Sequence, residues 1–131
     1  MTSPTIDRWH QIVRNRDTAE LKAILAEDVV FESPVVHTPQ AGRAITFQYL
    51  HAALHVLNNA SFQYLNEWHA PGSAVLEFQS TIDGITVNGV DIISWNDAGL
   101  ITRFKVMVRP LKAVNKLHEM MARMLQGAQQ Q

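Results

Sequence analysis

One acid stands inside an apolar run of this sequence, and that placement gives it chemistry to do. Asp91 lies between Val90 and Ile92 in the segment Asn88–Pro110, NGVDIISWNDAGLITRFKVMVRP. An ionised carboxylate is costly to take out of water. Asp91 therefore either keeps its proton near neutral pH or is satisfied by a hydroxyl, a histidine or an arginine. With a raised pKa it becomes a proton donor or general acid. His37 sits in the irregular connector Pro34–Gly42, PVVHTPQAG, and is the candidate acid–base partner at a pocket mouth. Its plain alternative is a solvated loop histidine.

Other chemistries find less support. His51 and His55 are four apart, the spacing that puts two imidazoles on one helix face, yet no third ligand and no HExxH pattern accompanies them. His10, His69 and His118 read as surface positions, so no metal is expected. No Gly-x-Ser-x-Gly elbow and no glycine-rich phosphate loop occurs, which argues against nucleophilic catalysis and a nucleotide; no cofactor is expected. Ser33 could hydrogen-bond a ligand but has no obvious base beside it. Trp9, Tyr49, Trp68 and Trp95, with Val108, are candidates to line a cavity for a flat apolar ligand, their alternative being plain core. Arg103, Lys105 and Arg109 alternate, as in an anion site or in ion pairing to Glu77 on an outer face.

The elements that must position these groups follow from hydrophobic period. Ser3-Pro4 before Ile6, Trp9, Ile12 and Val13 predicts a capped helix. Asp17 with Glu20 three residues on predicts a second helix start, its stripe Leu21, Ile24 and Leu25. Val29–Ser33 reads as a short strand ended by Pro34, and Arg43–Leu57 as a third helix burying Ile45, Tyr49, Leu50, Ala53 and Val56. After Asn58-Asn59 the period changes to two. Strands are expected over Ser61–His69, Ser73–Ile82, Ile85–Trp95 and Ile101–Arg109, separated by Pro71-Gly72, Asp83-Gly84 and Asn96–Gly99. A helical tail over 111–131 carries Leu111, Val114, Leu117, Met121 and Leu125 at helical spacing.

This is one α+β domain over residues 1–131, with helices at about 3–57, a sheet at about 61–110 and the tail behind it. Hydrophobic residues make up 47% and charged residues 18%, which excludes disordered and fibrous classes. The net charge is −1 with the basic residues scattered, so no nucleic-acid footprint is present. There are no cysteines, which removes disulfides and thiolate metal sites and fits a reducing compartment. The first residues lack the apolar core of a signal peptide, and no segment approaches the roughly 20 apolar residues of a membrane helix. A cytoplasmic protein is expected.

Alternation sorts the sheet faces. Ala74, Leu76 and Phe78, then Val87, Asp91, Ile93 and Trp95, then Phe104, Val106 and Val108 are expected to face the helices. The other face keeps Val75, Val90, Ile92 and Met107 among charges, a composition suited to a protein interface. Homodimerisation through it is expected.

In these features the chain resembles the nuclear transport factor 2-like superfamily, particularly its SnoaL-like and ketosteroid isomerase-like branch. The resemblance rests on DTAELKAILAEDVVFESP (17–34), on Pro39-Gln-Ala-Gly42 entering the third helix, and on Gly89-Val-Asp91 ahead of the Asn96–Gly99 hairpin. It implies a cone-shaped curved mixed β-sheet wrapped around N-terminal helices, usually dimeric, with a deep apolar pocket. In ketosteroid isomerases a proton-transferring carboxylate directly precedes the proline that ends the first strand; Ser33 holds that place here. An oxyanion-stabilising tyrosine lies on the first helix, where this chain has Trp9. A protonated aspartic acid ahead of the apolar strand's hairpin is matched by Asp91. Related epoxide hydrolases carry an arginine two residues before the aspartate, where Gly89 stands. The polyketide cyclase branch needs only a shaped cavity and an acid, and Asp91 meets that pattern. The resemblance thus implies a small-molecule pocket, either catalysing cofactor-free proton transfer of isomerase or cyclase type, or binding a small apolar ligand or a partner without chemistry.

Overall fold

The computed structural model describes residues 3–129, with side chains through residue 126. The last two residues of the expected tail lie outside that range. Helix α1 spans Pro4–Asn15 and α2 Thr18–Ala23. Strand β1 (Leu25–Glu32) and the two-residue β2 (Gln40–Ala41) lead into α3 (Arg43–Leu57). Strands β3 (Gln63–Ala70), β4 (Ser73–Ile82), β5 (Ile85–Trp95) and β6 (Ile101–Arg109) follow, and α4 (Leu111–Gln129) ends the described chain. No helix among the described residues is long and apolar enough to cross a membrane.

The caps are those the residue types dictate. Ser3 accepts a hydrogen bond from the Ile6 amide and Asp17 one from the Glu20 amide, each satisfying an orphan donor of a first turn. The helix expected from Asp17 ends earlier than its stripe suggested. Ile24 caps α2 and Leu25 already belongs to β1, because Leu25 registers against Ile101 and the Ile24 carbonyl accepts from the Ile101 amide. The first strand is thus longer than Val29–Ser33. The connector adds β2, paired to Val30 and Phe31.

The six strands form one open sheet in the order β2-β1-β6-β5-β4-β3, with β1 parallel to β6 and every other pair antiparallel. Register shifts in β1, in β3 and at the end of β5 curl it, as bulges add twist and bend. This is the cone-shaped α+β architecture expected. The concave face and the helices share one core, in which Trp9, Phe31, Leu76, Phe78, Ile93 and Phe104 are almost wholly buried. The buried stripe of α3 is Thr46, Leu50, Ala52, Val56 and Leu57, while Ile45, Tyr49 and Ala53 are only half-buried. In α4 it is Ala113, Leu117 and Met121, whereas Leu111 is exposed.

Asp91 faces this core. Its strand neighbours in register are Leu76 on β4 and Val106 on β6, both buried.

Candidate functional site

A narrow apolar recess opens between the concave sheet face and the helices; its cavity volume is about 40 Å³, within about 570 Å³ of atom-free space that includes open solvent at its mouth. Every layer contributes: Trp9 from α1, Leu50 and Leu54 from α3, Phe78, Asp91 and Phe104 from the sheet, Leu117 and Met121 from α4. Ser33, Pro34 and Val35 form part of its rim. Among the described residues Asp91 is the only charged one that lines it.

Asp91 is 7% exposed. Burial pushes its carboxyl up to about 7, a hydrogen bond from Tyr64 opposing the shift. The Tyr64 hydroxyl lies 2.9 Å from Asp91 Oδ2 and 2.8 Å from Trp9 Nε1. These two contacts fix the direction of the chain. An indole N–H only donates, so Tyr64 accepts from Trp9 and spends its own proton on Asp91. Burial and the Asp91 charge hold the Tyr64 phenol well above its usual value, so it stays a donor.

The chain also decides which carboxyl oxygen a ligand meets. Asp91 Oδ2 is occupied by Tyr64. Among the described residues Oδ1 accepts no side-chain hydrogen bond, and Asp91 lines the recess, so Oδ1 is the oxygen left for a ligand. Below about pH 7 Asp91 is neutral. With Oδ2 accepting from Tyr64, its proton rides on Oδ1 as a donor into an apolar space.

The expected site residues separate into two groups. Trp9, Ser33 and Asp91 come together on the recess. Trp9 serves it through its indole N–H as well as its ring. Ser33 spends its hydroxyl oxygen accepting from the Val35 amide, the local turn bond its residue type favours. His37 does not join them: it is exposed on the connector and outside the recess wall, so no acid–base pair with Asp91 forms. Tyr49 packs on Phe31 (ring centroids 5.6 Å apart), and Trp95 and Val108 pack half-buried against the core; none of the three lines the recess.

Trp68 is on the wrong face altogether, 57% exposed. Strand β3 carries a register shift between Tyr64 and Asn66, so Tyr64 pairs with inward Phe78 while Trp68 pairs with outward Val75. One extra residue reverses the alternation beyond it.

Sequence reasoning also missed Tyr64, which lies ahead of that shift. Tyr64 follows Phe62 by two residues, and both face inward, their rings 5.1 Å apart and edge-on. A buried tyrosine hydroxyl needs a partner and a buried aspartate needs a donor. Those matching needs were the available signal. Beyond the shift Glu67 and His69 turn to the inner side at the sheet edge, where His10 Nε2 and His69 Nε2 approach the two Glu67 oxygens at 2.6 and 2.9 Å. His51 and His55 border a separate polar recess with Arg16 and Asp17. Among the described residues no group of three metal-ligating side chains is placed to hold an ion.

Residues 6–104 match the SnoaL-like domain family. The chain shares 33% identity with a steroid delta-isomerase from Pseudomonas aeruginosa, whose crystal structure superposes with a TM-score of 0.90 over 97% of this chain and 93% of that one. A protein with a cystatin-like fold from Silicibacter pomeroyi DSS-3 is 34% identical, with a TM-score of 0.83 over 91% and 83% of the two chains. An NTF2-like protein from Mesorhizobium loti, 23% identical, shares the fold with a TM-score of 0.69 over 81% and 88%. No curated protein matches the chain. The chain belongs to the SnoaL-like family of the NTF2-like superfamily, in its ketosteroid isomerase-like branch.

Proposed function

We propose that this chain binds a neutral, mostly apolar carbonyl compound and that Asp91 acts on it as a cofactor-independent acid, in a reaction of isomerase or cyclase type. The supporting observation is one carboxyl, poised near neutrality, in a recess that no cationic side chain lines among the described residues. An anionic ligand would enter that space without a counter-charge, which the low-dielectric wall makes costly. A carbonyl oxygen is what a neutral acid on Oδ1 can receive.

Among the described residues the site supplies an acid and no separate base, and this narrows the chemistry. Ser33 stands where ketosteroid isomerases carry their proton-accepting carboxylate, and its oxygen is already committed to Val35. The substrate must therefore bring its own enol. In enol-to-ketone conversion, Asp91 gives its proton to carbon and a C–H bond forms. The enol O–H breaks, and its proton returns to the carboxylate. In an aldol-type ring closure the acid protonates the carbonyl oxygen as the carbon–carbon bond forms, and the enol hydroxyl restores it. Neither needs a co-reactant.

The test is ketonisation of a dienol released from the dienolate of a cyclic enone, followed by ultraviolet absorbance. Wild type should accelerate it, and Asp91→Asn should lower the rate by about 10²- to 10⁴-fold. The rate should also fall as pH rises through about 7, where Asp91 loses its proton. No acceleration at all, with tight binding of a neutral ketone that survives Asp91→Asn, would favour the second reading. That reading is a non-catalytic binding domain, and the missing base speaks for it.

We also infer a homodimer through the convex sheet face. Trp68, Val75 and Ile92 lie in one cross-strand row, and Val90 and Met107 in the next, with Trp68 and Met107 more than half exposed. On the same face Glu77 lies on β4, and Arg103, Lys105 and Arg109 lie on β6. A two-fold axis along β5 lays each β4 against the partner's β6, acid against base. Solution mass checks this, a monomer at micromolar concentration refuting it.

A further inference from the structure

We infer that α4 is the movable wall of the recess and that its residues Leu117 and Met121 set the length of ligand accepted; this rests on the pocket reading above. The span matched to the SnoaL-like family ends at Phe104, before α4 begins. The helix nevertheless contributes part of the recess lining, through Leu117 and Met121, and packs across α3, β5 and β6.

Its inner face suits a wall that adjusts. Ala113, Leu117 and Met121 form the buried stripe, with Met120 and Met124 partly buried beside it. Methionine is unbranched and polarisable, and it repacks around different shapes with little penalty. The opposite edge of α4 is polar and bears the Arg123–Glu119 pair at one-turn spacing.

Among the described residues, one ionic contact ties the helix across to the sheet. Lys116 Nζ lies 2.7 Å from Asp83 Oδ2, in the tight β4–β5 turn where Asp83 and Gly84 both have positive φ. Lys116 is one residue from Leu117, so the contact that holds the helix and the side chain that closes the recess share a turn. Asp83 is largely exposed, and a pair of this kind holds weakly enough to open.

The test uses two solvatochromic ketones, prodan and laurdan, which carry the same aminonaphthalene chromophore on a short and a long acyl chain. Wild type should prefer prodan. Leu117→Ala and Met121→Ala should shift the affinity ratio toward laurdan by at least about tenfold, the scale at which a pocket reads a few methylenes. Lys116→Gln leaves the lining intact and should speed both association and dissociation of prodan by about two- to fivefold, with its Kd nearly unchanged. Since Lys116 is outside the core, that variant keeps the test decisive if the alanine variants fold poorly. A ratio unmoved by the alanine variants, or prodan kinetics unmoved by Lys116→Gln, overturns the role of α4 while the pocket reading stands. Failure of wild type and every variant to bind either probe overturns both.

Discussion

Glu77 and Asp91 lie on adjacent strands, one residue apart in register, and face opposite sides of the same sheet. Leu76 is the partner of Asp91, and Glu77 the partner of Val90. On the convex face Glu77 accepts from Asn66 Nδ2 at 2.8 Å and from Asn88 Nδ2 at 3.1 Å, and these bonds hold its carboxyl below the usual value. On the concave face Asp91 has, among the described residues, one donor and no cation, and burial holds its carboxyl up. Two carboxylates on neighbouring strands are thus driven in opposite directions. What separates them is which face the pleat assigns, and hence how many donors and how much water each one meets.

The largest consequence is a pH dependence of stability. Asp91 has an ordinary value near 3.8 in the unfolded chain and about 7 in the folded one. Between those values the folded state holds the extra proton, so raising pH favours unfolding. Stability should fall from about pH 4 and level off above about pH 7, with a total on the order of 4 kcal/mol from this group. Asp91→Asn, nearly isosteric and able to accept from Tyr64, should flatten that slope. Urea unfolding of both proteins at pH 5 and pH 8 checks it; parallel slopes would show that the concave face does not perturb Asp91.

Next in size is the backbone that lets the concave face close. A Cβ on Gly89 would sit 2.5 Å from the Met107 carbonyl oxygen and 2.7 Å from Phe78 Cζ. The carbonyl belongs to a paired strand and cannot retreat. Gly89→Ala should cost about 1–3 kcal/mol by overpacking and drive the Phe78 ring toward the recess. The matched test on the convex face is Ser94→Ala, which should change thermal stability far less.

Tyr64→Phe separates the donor from the burial. Losing the Tyr64 hydrogen bond removes the one influence that lowers the Asp91 value, so the pH midpoint should move further up. The variant also strips the acceptor from the buried Trp9 indole, at about 1–3 kcal/mol for an unsatisfied donor. A midpoint measured by titration of the Asp91 carboxyl carbon that stays fixed would show that burial alone sets it.

How much of this was written legibly in the chain depends on how local the signal was. The ends of β4, β5 and β6 follow from alternation interrupted by Asp83-Gly84, Asn96–Gly99 and Pro110, all short-range features, and the same is true of α3. The placing of Trp9, Ser33 and Asp91 on one recess follows from period and fold class. The face of Trp68 did not follow, because the β3 register shift belongs to the curvature of the assembled sheet and leaves no turn residue behind. The Tyr64 hydroxyl was hidden because its partners lie 27 and 55 positions away. His37 failed for a further reason: a loop between two prolines has no period from which a direction can be read.

The smallest effect is the one that tests the comparison from its other side. Glu77 sits in a lateral polar row in which Asn66 and Asn88 donate to it and Arg109 Nε donates to Asn88 Oδ1 at 2.8 Å. Its lowered value means that whatever stability it adds is present at neutral pH and is lost only as acid protonates it, below its ordinary value of 4.5 and so at the acid foot of the window in which Asp91 acts. Exposed pairs of this kind contribute little, because water already solvates both partners. Glu77→Gln should therefore leave unfolding between pH 5 and pH 8 unchanged within error, while weakening any dimer in which Glu77 meets the partner's basic strand. A stability change rivalling that of Asp91→Asn over the same range would mean that the two faces of the sheet are not the distinct solvents their carboxylates report.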